Sequence, residues 1–352
     1  MSANLTAPPS AAALRAAAAE ATLRPRDLAA SLGVSEAQLL AAQSDGGDVT
    51  PIAAHPDALV AELSSLGEMM ALTRNESIVS EVHGTYDGYA SGGHACLVLG
   101  AGIDLRLFPK HWCHAFAVEA ETAQGVRRSF QVFDAAGDAV HKAYLPLDAD
   151  PAGWQALRDR LALTEPSDTL EVAPRAPAEG AIVAPEKAAA LRKGWDDLGD
   201  THQFLALTRK LRINRLGAYR IAGAPYARAL APEALSEALH RVAGTGVSTM
   251  IFVGNPGCIQ IHSGPIGPIR PMGPWLNVLD PGFDMHLRGD HVAEVWAVSK
   301  PTRRGPALSL EAFDADGRLI AQIFGHRAAE RDETGPWAEL LDALPDRAVE
   351  GA

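Results

Sequence analysis

Two stretches of this chain lie over two others in a single register. IDLRLFPKHWCHAFAVE (103–119) aligns with FDMHLRGDHVAEVWAVS (283–299), matching Asp104 to Asp284, Leu107 to Leu287, His111 to His291 and Ala117-Val118 to Ala297-Val298. SFQVFDAAG (129–137) aligns with SLEAFDADG (309–317), sharing Ser, Phe, Asp, Ala and Gly. Both alignments have an offset of about 180 residues and no gap. A single matched hairpin can arise by chance, but two in one register point to an internal duplication, which confines the chain to two copies of one module. More loosely, DLAASLGVSEAQLLAA (27–42) resembles FLALTRKLRINRLGAY (204–219), each reading as helix, turn, helix.

Within each copy the helical part comes first and the strands follow. HACLVLG, IDLRLF and HAFAVE are short apolar or alternating runs, the pattern of strands. FDAAGDAV and FDADGRLI place Asp and Gly between apolar runs, a hairpin signal. DADG lacks the downstream Glu of a calcium loop, so it reads as a turn. Without strict strand–helix–strand alternation, the expected class is α+β: two similar repeats, each a large antiparallel sheet flanked by helices. EPSDTLEVAPRAPAEGAIVAPEK (165–187) carries four prolines and little periodicity and reads as a linker. The expected division is an alanine-rich extension (1–24), a first repeat (25–164), the linker (165–190), a second repeat (191–335) and a tail (336–352).

Composition narrows the function. A net charge of -12 argues against general affinity for nucleic acid or membrane. Cys96, Cys113 and Cys258 form no CxxC pair, so a reducing cytoplasm is expected. The N-terminal stretch is interrupted by Arg15 and Glu20 and does not read as a signal peptide; no run is long and apolar enough to span a membrane. Against this acidic background, Thr201 to Pro232 contains no Asp or Glu but holds Arg209, Lys210, Arg212, Arg215, Arg220 and Arg228, and His202 leads into it.

Several candidate sites have plain readings. HWCH (111–114) has no second ligand pair at a zinc spacing and reads as core or edge histidines. Cys258 and His262, on one face of a strand, carry no mark of an activated thiol, and His262 reads as a satisfied core residue. The first helix-turn-helix lacks basic residues on its second helix, so it is structural; the basic second copy leaves a DNA-binding reading open. His202 differs. Asp200 or Thr201 can cap the helix, placing His202 in its first turn, where the positive end of the helix dipole disfavours imidazolium. A single neutral imidazole suffices for haem iron, whose in-plane ligands come with the cofactor, and haem propionates call for Arg or Lys. On composition alone a helix-capping histidine is the simpler reading.

The chain resembles the HemS/HmuS/ChuS family of bacterial cytoplasmic haem-handling proteins, the haemin-degrading factors. The resemblance rests on LGEMMALTRNESIVSEVHGTYDG, IDLRLFPKHWCHAFAVE, RRSFQVFDAAGDAVHKAYL, DTHQFLALTRKLRINR, NPGCIQIHSGPI, GPWLNVLDPGFDMHLR and LSLEAFDADGRLIAQIFGHR, in order from about residue 25 to about residue 330.

The resemblance implies one haem (haem b, also the substrate of any degradation) per chain, in a cleft between the repeats. It makes His202 the axial ligand and places Arg106, the expected catalytic residue, and Phe108 on the other side of the haem. Arg215, Lys300, Gln322 and Arg327 match further haem-contacting positions, and Lys300 with Arg303 and Arg304 would form a basic cluster for propionates. Some relatives carry extra histidines after the ligand. Here Gln203, Phe204 and Leu205 follow, so His202 has no local substitute. The implied function is a cytoplasmic protein of haem-iron uptake that degrades or transfers imported haem. Its implied partners are an external electron donor if enzymatic, since no flavin or nicotinamide fingerprint is present, and a haem importer or haem oxygenase. The alternatives are a non-catalytic chaperone delivering haem to a haem oxygenase and a haem-responsive DNA-binding regulator.

Overall fold

A computed structural model describes residues 9–45, 47–328 and 332–348; the ends of the expected N-terminal extension and C-terminal tail lie outside these. The chain divides into two units. The first comprises residues 1–74, 81–175 and 255–260, the second 75–80, 176–254 and 261–352.

In the first unit, helices α1 (Ala11–Glu20), α2 (Pro25–Ser31) and α3 (Glu36–Ala41) lead into β1 (Val49–Ile52), α4 (Pro56–Leu63) and β2 (Met69–Arg74). After β3 (Ile78–Gly84) come β4 (Cys96–Leu99), β5 (Asp104–Leu107), β6 (His114–Thr122), β7 (Gly125–Phe133), β8 (Ala139–Tyr144) and α5 (Pro151–Leu161). The antiparallel order is β1-β6-β7-β8-β2, with β4 paired to β5.

The second unit repeats this plan. In chain order come α6 (Ala188–Asp196), α7 (Gln203–Leu211), α8 (Arg215–Ala222), β9 (Ala227–Leu230), α9 (Ala234–Thr245), β10 (Thr249–Asn255) and β11 (Cys258–Gly264), whose first residues belong to the first unit. Then follow β12 (Arg270–Met272), β13 (Trp275–Asp280), β14 (Phe283–Arg288), β15 (Glu294–Lys300), β16 (Ala307–Phe313), β17 (Leu319–Gly325) and α10 (Thr334–Asp342). Its order, β9-β15-β16-β17-β10, is that of the first unit strand for strand, and the β13–β14 hairpin takes the place of β4–β5. The expected α+β duplication is the fold.

The FDAAG and FDADG turns are built alike. Asp134 Oδ1 accepts the amides of Ala136 and Asp138, and Asp314 Oδ1 those of Asp316 and Arg318. Gly137 (φ 78°) and Gly317 (φ 79°) take the left-handed conformation that closes each turn, which a side chain would resist. The looser helical alignment is corrected by two residues. Ser35 and Asn214 are the N-caps of α3 and α8, each accepting the amide three residues on, and left-handed Gly33 and Arg212 precede them by two. The helices therefore correspond at an offset of 179 (214 minus 35), and His202 falls opposite Leu23, an exposed leucine.

Each unit contains a six-residue segment from the other half of the sequence, and both segments start at an asparagine. Asn75 Oδ1 accepts the amides of Ser77 and Ile78 while its amide donates to Gly254 O and Ile320 O. Asn255 Oδ1 accepts those of Gly257 and Cys258 while its amide donates to Arg74 O and Val140 O. The side chain in each case forms an Asx turn and donates to two backbone carbonyls of the surrounding strands.

In the first unit Cys258 is buried against Thr73 (3.3 Å), Thr73 bonds His141 Nδ1 (2.9 Å), and Tyr86 Oη bonds His141 Nε2 (2.7 Å). A neutral imidazole completes this chain with one donor and one acceptor nitrogen. Burial holds His141 down to about 3 and pushes the Cys258 thiol up to about 12, so the thiol is an inert core group. The depressed histidine contributes stability above its unfolded value near 6.5 that is lost as pH falls toward about 3. Urea midpoints measured from pH 7 to pH 4 are expected to fall with a slope approaching about 1.4 kcal/mol per pH unit, and His141→Gln is expected to flatten that slope.

Candidate haem site

His202 is the residue immediately before α7, not a member of its first turn as expected. The chain turns there because Asp200 Oδ1 accepts the His202 amide at 2.8 Å, taking the role a cap would have. The same oxygen lies 2.6 Å from His202 Nδ1. Hydrogen bonds from the His202 amide and then its imidazole hold the Asp200 carboxyl below its ordinary value, so the group is an acceptor and Nδ1 carries the proton. Nε2 points away from this contact on a side chain that is 93% exposed.

The rest of α7 anchors this turn. Phe204 and Thr208, one helical turn apart, are buried, and Phe204 packs on Trp195 (4.7 Å between ring centroids) and stacks on Tyr219 (5.7 Å). Leu205 stays exposed beside His202. Beneath Phe204 lies a buried charged cluster. Glu311, on β16, is fully buried and accepts four hydrogen bonds: Arg215 (2.8 Å) and Tyr219 (2.7 Å) on Oε2, Lys300 (2.7 Å) and Ser309 (2.9 Å) on Oε1. Lys300 also donates to Tyr219 Oη and lies 4.9 Å from the Phe204 ring centroid. Burial lowers the Lys300 ammonium to about 8, against the pull of Glu311. Two cations meet one carboxylate, so the cluster carries a surplus positive charge under the helix that presents His202.

The other expected site residues are distributed as follows. Gln322, on β17, is the direct cross-strand partner of Glu311. Arg327 bonds Arg304 O and lies 3.7 Å from the Asp332 carboxylate. The neighbouring Arg303 amide donates to Gly199 O (3.2 Å), so the 302–305 loop joins Arg327 to the His202 turn. The expected basic trio is divided, because Lys300 is buried on Glu311 while Arg303 and Arg304 are exposed. In the first unit, Arg106 on β5 is ion-paired with Asp104, two residues back on the same strand face. Phe108 meets His94 edge-on at 6.0 Å.

Three of the six cations of the basic island are committed to ion pairs: Arg215 to Glu311, Arg220 to Glu294 and Arg228 to Asp346. Both arginines of α8, Arg215 and Arg220, are thereby paired with carboxylates, which weakens the cation stripe a DNA-reading helix would need. His262 is half-buried, stacked on Phe283 at 3.6 Å, not a fully buried core residue. Cys113 is exposed, and among the described residues no group of three His, Cys, Asp or Glu could hold a metal ion. A hollow of about 320 Å³ lined by Gly180, Asn214, Arg215, Phe313 and Arg318 does not include His202.

Sequence reasoning missed Asp200 as the partner of the imidazole and Glu311 as the centre of the cluster. A signal for Glu311 existed: at the repeat offset its counterpart is the neutral Gln131, whose amide donates to Ser129 Oγ, whereas Glu311 accepts from Ser309 Oγ.

A duplicated α+β chain with one free imidazole nitrogen above buried cations is suited to a metal complex that brings its own in-plane ligands and carries negative charge. The sequence model of the haemin-degrading HemS.ChuX domain matches residues 33–161 and again 212–344. The hemin transport protein HmuS of Yersinia pestis is 37% identical over 325 residues, 92% of this chain and 93% of that protein. The fold matches holo-PhuS, a heme-binding protein from Pseudomonas aeruginosa, with a TM-score of 0.90 and 42% identity, covering 96% of this chain and 100% of that one. It matches ChuS, an E. coli heme oxygenase, with a TM-score of 0.84 and 32% identity over 94% and 99% of the two chains. The chain belongs to the haemin-degrading HemS/ChuX family.

Proposed function

We propose that this chain is a cytoplasmic protein of haem-iron uptake that binds one haem through His202 and either degrades it or hands it on. Haem binding in haem uptake is the common ground of its family and of relatives described as a hemin transport protein, a heme-binding protein and a heme oxygenase. The observation that carries the ligand assignment is the exposed His202, with Nδ1 committed to Asp200 and Nε2 free. The residues present fit haem: an exposed ring nitrogen for the iron, an exposed Leu205 three residues on for the macrocycle, and surplus positive charge from Arg215 and Lys300 for the propionates. Gln322 and Arg327 are assigned to the haem edge. Arg106 and Phe108 are assigned to the opposite face, and Arg106 would have to loosen its pair with Asp104 to act there. Among the described residues no helix is long and apolar enough to cross a membrane.

When bound, haem supplies the iron and the oxidisable ring. His202 fixes its orientation, the buried cluster neutralises a carboxylate, and Arg106 offers a hydrogen-bond donor where negative charge develops. In the degradation reading the electrons come from an external donor.

The test is a haemin titration followed by absorbance. Wild type is expected to give a sharp Soret band saturating at one haem per chain, and His202→Ala to shift that band and weaken binding about tenfold or more. Identical spectra and affinities would remove His202 as the ligand. Loss of the band in ascorbate and O2, with catalase present, identifies degradation; an intact band with transfer to an apo-acceptor identifies a chaperone.

A further inference from the structure

The exposed His202 side chain is held by a carboxylate rather than by a backbone carbonyl. Asp200 Oδ1 contacts both the His202 amide (2.8 Å) and Nδ1 (2.6 Å), so one oxygen fixes the backbone and the ring together. The turn that holds Asp200 is tied from two sides. The Gly199 amide donates to Gln203 Oε1 at 2.8 Å, and Gly199 O accepts the Arg303 amide at 3.2 Å. The Gln203 amide in turn donates to Asp200 O at 3.2 Å. A ring that is 93% exposed would otherwise sample several rotamers and both tautomers.

We propose that Asp200 is a positioning residue that fixes the His202 tautomer and strengthens Nε2 as a donor, so that the site holds haem with its iron preferentially in the ferric state. This deepens the haem reading and rests on it. A carboxylate accepting Nδ1–H pulls that proton away and gives the ring imidazolate character. An imidazole of that kind stabilises the higher positive charge of ferric over ferrous iron, whereas a ring bonded to a neutral acceptor does so less. Haemin, the oxidised form, is then the state in which the cargo is retained, and one-electron reduction by an external donor weakens the hold on it.

The test uses the full chain loaded with haemin, comparing wild type, Asp200→Asn, Asp200→Ala and His202→Ala. Asp200→Asn keeps an oxygen to accept the His202 amide but removes the charge, so a purely structural role for Asp200 would leave it like wild type. The expected result is a lower Fe–His stretching frequency in the resonance Raman spectrum of the reduced Asp200→Asn protein. A reduction potential raised relative to wild type, and ferric affinity lowered by about 10- to 100-fold, accompany it. Asp200→Ala is expected to show the same changes in greater degree. If both Asp200 variants keep the wild-type frequency and potential while His202→Ala loses the band, Asp200 has no such role and the ligand assignment stands. If His202→Ala itself keeps the wild-type Soret and Raman signature, both the ligand assignment and the role of Asp200 fall.

Discussion

Glu311→Ala is expected to be the most damaging single substitution in the second unit. Glu311 is fully buried, and its two oxygens are saturated by Arg215, Tyr219, Lys300 and Ser309. Removing it leaves the buried Lys300 and the mostly covered Arg215 with no counter-charge and strands the Tyr219 hydroxyl. Breaking a buried pair in this way costs about 3–5 kcal/mol, because the remaining charge still pays its desolvation. Chemical denaturation of the second unit, followed by its tryptophans, is the measurement. A loss below about 1 kcal/mol would mean that water reaches the cluster. Adding Lys300→Met to Glu311→Ala is expected to return part of the loss, since it removes one of the two stranded cations.

Glu36→Gln is the corresponding change in the first unit, where the polarity is reversed. There the carboxylate sits at the first position of α3, bonded to Lys142 and to Arg74 (2.7 Å), whereas in the second unit the first position of α8 is Arg215 and the carboxylate is on the sheet. Burial would raise the Glu36 carboxyl, but Lys142 and Arg74 outweigh it and hold it at about 2. A carboxyl lowered from 4.5 to about 2 contributes stability that is complete above 4.5 and disappears as pH falls through 2. The shift corresponds to about 3 kcal/mol near neutrality. Glu36→Gln is expected to lose about that much at pH 7 and little at pH 2, measured by urea midpoints across the range. A variant whose deficit is the same at both ends would show that the loss is one of packing and not of charge.

The duplication was legible because hairpin chemistry leaves a residue-level trace: Asp134 and Asp314 make the same turn bonds, and Gly137 and Gly317 the same left-handed closure. The helical halves were legible in kind but slipped by two residues, since apolar periodicity alone tolerates a shift that the caps Ser35 and Asn214 do not. His202 stood out by charge context. The spacing of Asp200 and His202 was visible, but a cap and a ring partner have the same sequence signature. The burial of Lys300 was not legible, because its partner Glu311 lies on the next strand and the run SLEAF is covered on both faces, which erases the alternation that would separate inside from outside. The segments exchanged between the units left no trace that one sequence could show, because Asn75 and Asn255 read as ordinary turn residues.

Those exchanged segments give the duplication a consequence of its own. Cutting this gene in its proline-rich linker would separate two stretches of sequence but not two units. One product would lack Asn255–Gln260 and the other Asn75–Ser80, and with each missing hexapeptide would go the asparagine whose side chain closes backbone carbonyls of the unit left behind. An ancestor made of one module could have supplied both segments only by lending its own to a second copy.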